Sequence, residues 1–139
     1  MNAVTTVESY LARMKEWESK HRARTRSEQY KSDDAYRESQ KSESKKELLD
    51  IFQEFVEDGA NNRLSESRLS ILAVSSPSEF SQVIINSEET NKQAIIYTKQ
   101  LDGFEEHFKF TLKSSQGEWK ISKLAVSLDG VKWEARRSL

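Results

Sequence analysis

The chain has 139 residues, 35% of them hydrophobic and 32% charged, with a formal net charge of -1 and no cysteine. A chain of this length can bury about two-thirds of its unfolded surface in a single domain, and the lack of cysteine removes disulfides, thiolate nucleophiles and cysteine metal sites. The small net charge gives no global attraction to nucleic acid or an anionic membrane, yet it is uneven: residues 1–46 hold 11 Lys and Arg against 8 Asp and Glu, and residues 47–139 hold 11 against 15.

Val7, Tyr10, Leu11, Met14 and Trp17 recur at helical spacing, and Thr5 with Glu8 three residues on reads as a capping box, so an amphipathic helix opens the chain at about residue 4. The first eight residues carry neither a basic region nor an apolar run of the secretory kind, and no later stretch has membrane-spanning length. The chain therefore reads as cytosolic, with no membrane partner. From Glu18 to Lys46 the apolar content falls to Ala23, Tyr30, Ala35 and Tyr36. Residues 18–46 are either a solvated helical extension supported by charges four apart or a mobile linker, with helix favoured around Ser27 to Tyr36.

Leu48, Ile51, Phe52, Phe55 and Val56 form the next apolar stripe, with Gly59 as its expected C-terminal cap, which places the helical part of the domain at about 4–58. A polar loop follows over Ala60 to Glu66, and Leu69 to Val74 reads as a short strand that opens the sheet part, about 69–135. The only proline breaks the pattern in Ser76-Pro77-Ser78. Gln82 to Asn86 is a further strand, turning through Ser87 to Asn91.

A three-stranded antiparallel meander over Ala94 to Ser122 organises the rest. Phe104, Phe108, Phe110 and Leu112 share one parity while Glu105, His107, Lys109, Thr111 and Lys113 share the other, so one face seeks a core. Asp102-Gly103 and Ser114 to Gly117 supply the turns. The apolar stripe of 48–56 is the expected cover for the phenylalanines. After Trp119 and Ile121 the apolar parity changes to Leu124, Val126 and Leu128, the signature of a bulge that bends the sheet. Asp129-Gly130 then turns the chain into a last strand containing Val131 and Trp133, followed by a polar tail. Helices first and consecutive strands afterwards indicate one α+β domain over 1–139, its helices packed on one side of a strongly curved antiparallel sheet.

Chemistry in the sequence is sparse. The two histidines, His21 and His107, have no metal or relay spacing, and the glycines Gly59, Gly103, Gly117 and Gly130 are explained by turns and caps, so no catalytic residue, metal site or cofactor is assigned. His107 beside Glu105 reads as an exposed strand histidine rather than an acid/base pair. Lys20, Arg22, Arg24 and Arg26 form a basic helical stripe that acidic neighbours dilute; a solvated surface accounts for it better than nucleic-acid binding. Trp17, Trp119 and Trp133 read as core rather than as the lining of a ligand cavity.

The ordered runs Leu48-Leu49-Asp50-Ile51-Phe52-Gln53-Glu54-Phe55, Ser76-Pro77-Ser78-Glu79-Phe80, Ala94 to Gln100, Phe108 to Lys113 and Gly117-Glu118-Trp119-Lys120-Ile121 resemble those of bacterial immunity proteins with the cone-shaped nuclear transport factor 2-like fold. The resemblance spans 48–133. It implies a non-enzymatic cytoplasmic protein that neutralises the C-terminal domain of a cognate polymorphic toxin, of the Rhs or type VI secretion kind, by binding it. Acidic clusters at Glu54, Glu57 and Asp58, at Glu88 and Glu89, and at Asp102, Glu105 and Glu106 are the candidate contacts, able to mimic phosphate before a basic cleft. The alternative within the fold is a small-molecule carrier or an isomerase-like enzyme, favoured by a deep cavity with paired ionisable groups and opposed by a cavity filled with aromatics. Pairing of the sheet with a second copy of the chain is a third reading.

Overall fold

The computed structural model describes residues 1–102, 105–136 and 138–139. Its elements run α1 (Ala3–Arg26), α2 (Glu28–Ser32), α3 (Asp34–Phe55), a 3-10 turn (Gly59–Asn61), α4 (Arg63–Ile71), β1 (Gln82–Glu89), β2 (Gln93–Gln100), β3 (His107–Ser115), β4 (Glu118–Ser127) and β5 (Glu134–Arg136). The strands form one antiparallel sheet in sequential order, so the expected meander is extended by one strand on each side. Helices followed by a curled five-stranded antiparallel sheet are the expected α+β cone.

The helical half differs from expectation in its punctuation. Asn2, not Thr5, caps α1: its side chain accepts from the Thr5 backbone N–H at 2.8 Å. The polar stretch is helical apart from two single-residue breaks at Ser27 and Asp33, whose side chains accept from the N–H groups of Tyr30 and Tyr36 at 3.2 and 3.1 Å and so restart the helix each time. What holds this stretch is a clasp between α1 and α3. Trp17 Nε1 donates to the Ser44 carbonyl at 2.9 Å, His21 stacks on Trp17 with its Nδ1 2.7 Å from Ser44 Oγ, and Arg24 bonds both Ser44 Oγ and the Glu47 carboxylate. Ser44 is completely buried, so a segment poor in apolar residues is nonetheless anchored by a polar contact.

Further expectations are corrected. Gly59 does not cap α3: the helix ends at Phe55, Val56 forms a parallel bridge with Ile121, and the Glu57 N–H donates to the Ile121 carbonyl at 2.8 Å. Gly59 instead opens the 3-10 turn with a φ of +50°, where a Cβ would lie 3.1 Å from Gln53 Cα. Leu69 to Val74 is not a strand, and the supposed loop before it is largely helix. Leu64, Ser65, Arg68 and Leu69 form the buried face of α4, an amphipathic face that includes a charge and so escapes an apolar-only reading. The last strand lies at Glu134–Arg136; Leu128 and Val131 are 80% and 77% exposed in the loop before it. Nor is the tail simply polar, since Leu139 is buried, its N–H donating to the Leu64 carbonyl and its own carbonyl accepting from Arg68 Nε at 2.6 Å.

The parity change in β4 is a bulge at Ser122, where the register against β3 slips between Thr111 and Leu112; a second irregularity lies at Ile85 in β1. Inside the bent sheet Ile96, Phe108, Phe110, Leu112, Ile121 and Leu124 face the helices. Their cover is shared: Phe52 and Phe55 come from α3, but Tyr10 of α1 reaches the centre, edge-on to Phe55, Phe80 and Phe110 with centroids 6.0, 6.2 and 6.3 Å away. Gly103 and Phe104, the rest of the expected turn and the first phenylalanine of the stripe, lie outside the described residues.

The Tyr10 hydroxyl is buried with no hydrogen-bond partner among the described residues, an arrangement that generally costs about 1–3 kcal/mol. Tyr10→Phe should therefore match or exceed the wild-type denaturation midpoint, while Tyr10→Ala should lose about 3–5 kcal/mol in urea unfolding through the cavity it opens. The His21 imidazole is held below its usual pKa of 6.5, first by burial and then by Arg24. The unfolded chain therefore takes up the proton first, so stability should decline as pH falls through about 6.5. Comparing urea midpoints at pH 7.5 and 5.5 should show a decline that is smaller in His21→Gln.

Candidate functional site

Strand register sorts the side chains of the sheet into two populations. One parity packs on the helices. The other, read across β1 to β4, gives Val83, Lys99, His107 and Ser127 in one row, Asn86, Tyr97, Lys109 and Ala125 in the next, then Glu88, Ile95, Thr111 and Lys123, and finally Gln93, Lys113 and Lys120. Among the described residues no helix covers this outer face. Its β3 and β4 side is lysine-rich although the sheet half of the sequence is net acidic.

The face is partly rigidified by the loop between β4 and β5. Trp133 packs on Tyr97 with centroids 5.8 Å apart, and Lys109 Nζ stands 5.1 Å from the centre of the Trp133 ring. Of the three tryptophans only Trp17 is fully core; Trp119 is partly buried against the core, and Trp133 lies outside the cone. The loop is pinned by Asp129, whose carboxylate accepts from the Lys132 and Val131 N–H groups at 3.0 and 2.8 Å and from Ser127 Oγ at 2.9 Å. Gly130, at φ +78°, lies against the His107 ring, so this histidine is half-buried rather than exposed.

Lys113 and Lys123 are exposed and have no ion pair among the described residues, whereas Lys99 reaches Glu105 at 3.7 Å. Lys120 is engaged elsewhere: its ammonium donates to the carbonyls of Gln53 and Glu54, at the C-terminus of α3. The last turn of that helix has no basic residue of its own, and Lys120 meets its negative end.

The acidic residues expected to form contacts are not brought into one cluster. Glu88 and Glu89 lie at the end of β1, and Glu57 and Asp58 lie beyond β4 at the same end of the sheet, because Glu89, Ala94, Leu112, Ile121 and Val56 follow one another across it. Asp102, Glu105 and Glu106 lie at the opposite end, about 26 Å away along the eight residues of β2. Glu54 is paired with Arg13 at 2.5 Å, and one Glu57 oxygen is buried without a partner among the described residues. Asp58, Glu88, Glu89, Asp102 and Glu105 are exposed, and Glu106 is half-buried.

At the mouth of the cone a groove of about 680 Å³ is lined by Ser75, Pro77, Glu79, Gln100, Glu106 and Arg136 among others. Its Glu79 and Arg136 are bonded to each other and to the residues beneath. Glu79 takes bonds from Arg68 and from Arg136, the latter at 2.8 Å, while Arg68 also donates to the Ala73 and Leu139 carbonyls. Buried Glu18 accepts from Ser78 Oγ and the Ser75 N–H. Beneath this groove the interior is filled by Tyr10, Phe80, Phe108 and Phe110. The basic stripe of α1 is largely occupied too: Arg22 donates to the Ser75 carbonyl, Lys20 and Arg24 pair with Glu47, and Arg26 is exposed. Among the described residues no group of His, Asp and Glu is arranged to hold a metal, and no helix is long and apolar enough to cross a membrane.

The lysine run of the outer face escaped the sequence reading, although its signal was present in the polar parity of His107, Lys109, Thr111 and Lys113. The Asp129 carboxyl, held at about 2 by the Lys132 and Val131 N–H groups and by Ser127, should contribute to the loop fully above pH 3.8 and lose that contribution as pH falls through about 2. Carboxyl-carbon NMR titration should show a midpoint near 2, moving toward the ordinary aspartate range in Ser127→Ala.

A model of the NTF2 fold immunity protein family matches residues 3–135. No curated protein and no solved structure matches the chain.

Proposed function

We propose, since the chain belongs to the NTF2 fold immunity protein family, that it binds the C-terminal domain of one cognate polymorphic toxin stoichiometrically in the cytoplasm and neutralises it, within an Rhs-type or type VI secretion system. The observation that carries the reading to a protein partner is the filled cone. Tyr10, Phe52, Phe55, Phe80, Phe108 and Phe110 occupy the space where a carrier or isomerase of this shape would hold a ligand. At its mouth Arg68, Glu79 and Arg136 bond one another and the backbone. Recognition then falls to exposed side chains.

The acidic contacts we assign are Asp58, Glu88, Glu89, Asp102, Glu105 and Glu106 at the two ends of the sheet, with Glu54 and Glu57 behind them. Their separation argues against a single phosphate-mimicking patch and for a partner broad enough to touch both ends. Charges so placed at a rim act mainly on association rate and partner choice.

The test uses the toxin domain encoded beside this gene. Purified chain should bind it one to one with a Kd of about 1 nM or tighter, as suits a stoichiometric inhibitor, and should restore growth to a strain expressing the toxin without its own protection. The pairs Glu88→Lys/Glu89→Lys and Glu105→Lys/Glu106→Lys should each slow association by roughly 5- to 10-fold. Absence of both binding and rescue, with active toxin and folded protein, would reject the reading.

A further inference from the structure

The outer face of the sheet combines three features. Lys109, Lys123 and Lys113 form a basic run over β3 and β4 from its second row to its last; Tyr97, Trp133 and Ile95 give it apolar surface; and carboxylates border it, Glu88 on β1 in the row of Lys123 and Glu105 and Glu106 before β3. Resting on the immunity reading, we infer that this face is the docking surface, and that it takes a protein surface with an acidic strip opposite the lysines of β3 and β4 and basic groups where it meets the bordering carboxylates. The toxin is thereby assigned a chemistry: an Asp- and Glu-bearing patch with an apolar contact at its middle.

Size supports this assignment. Four strands about 4.8 Å apart and about 26 Å long cover roughly 500 Å² in projection. A stable complex buries about 800 Å² on each partner, so an interface centred on the lysines extends over the strand ends. The carboxylates there become its rim. Leu128 and Val131, 80% and 77% exposed on the Asp129-pinned loop, stand at one end of the face as apolar anchors already held in place.

The other occupants fit less well. A second copy stacked face to face would oppose lysine run to lysine run. Nucleic acid would meet the lysines favourably but, as an extended polyanion, would run into Glu88 and Glu89 at one end and Asp102, Glu105 and Glu106 at the other. A compact patch of acidic side chains avoids both conflicts.

The experiment compares three sets of variants against the same toxin domain. Lys109→Glu/Lys113→Glu/Lys123→Glu should weaken binding by about 100-fold or more while remaining folded by circular dichroism, and Lys113→Gln/Lys123→Gln, which adds no repulsion and keeps the Lys109 contact with Trp133, by about 10-fold. Lys15→Glu/Lys31→Glu/Lys45→Glu makes the same change in net charge on exposed helical positions and should stay within about threefold of wild type. Equal affinity of the outer-face and helical triples, with wild type still binding and neutralising, would overturn the docking surface and leave the immunity reading intact. Failure of wild type itself would remove both. Wild type should also sediment as a monomer and ignore a labelled single-stranded oligonucleotide at physiological salt. A dimer or oligonucleotide complex abolished by the outer-face triple would assign the face to that occupant instead.

Discussion

The burial of Tyr10 against three phenylalanines from three different places in the chain is the constraint on which the cone depends. Phe55 comes from the end of α3, Phe80 from the segment before β1, and Phe110 from the middle of β3. Each edge-on aromatic contact adds about 0.5–1.5 kcal/mol beyond area burial. More important than this sum, the contacts fix where α1 crosses the bent sheet. The unpartnered hydroxyl indicates that ring volume and shape govern this position, since a phenylalanine would occupy it without the polar cost.

Around that junction the molecule separates its charges into two kinds. Several near the core are paired and hydrogen-bonded: Glu79 lies between Arg68 and Arg136, Glu18 is held by Ser75 and Ser78, and Arg24 joins Glu47 and Ser44. A buried charge requires such partners. These contacts tie α4, the segment before β1, β5 and Leu139 together where apolar surface is scarce. Other charges, on the outer face and at the strand ends, retain exposure. A family whose members protect against toxins needs such surface, because discrimination between partners rests on exposed complementarity and on repulsion of the wrong match. The rigid aromatic interior underneath lets that surface be presented with little reorganisation.

Where sequence reading erred, the competing interaction can be named. The stretch over 18–46, poor in apolar side chains, read as a solvated helical extension or a mobile linker, and it is helical; what that reading missed is the anchor. The anchor is Ser44, fully buried under Trp17 and His21, and no periodicity search weights a serine as core. Leu69 to Val74 looked like strand because its leucines, isoleucine and valine were counted without Arg68. That arginine belongs to the buried face of α4 only because Glu79, Ala73 and Leu139 come to meet it. The acidic contacts looked like clusters because they are near one another along the chain, whereas the sheet divides them between its two ends.

The sequence by itself determined the α+β order, the antiparallel meander, the phenylalanine face and the bulge in β4. Each follows from local periodicity and turn chemistry acting over a few residues, where backbone geometry leaves little choice. Tertiary structure alone decided which polar residues became core, which lysines remained exposed, and that Lys109, Lys113 and Lys123 share one face of the sheet. These outcomes depend on register and on contacts between residues far apart in the chain. A local pattern carries the parity of a strand, but only the assembled sheet sets which neighbours that parity faces.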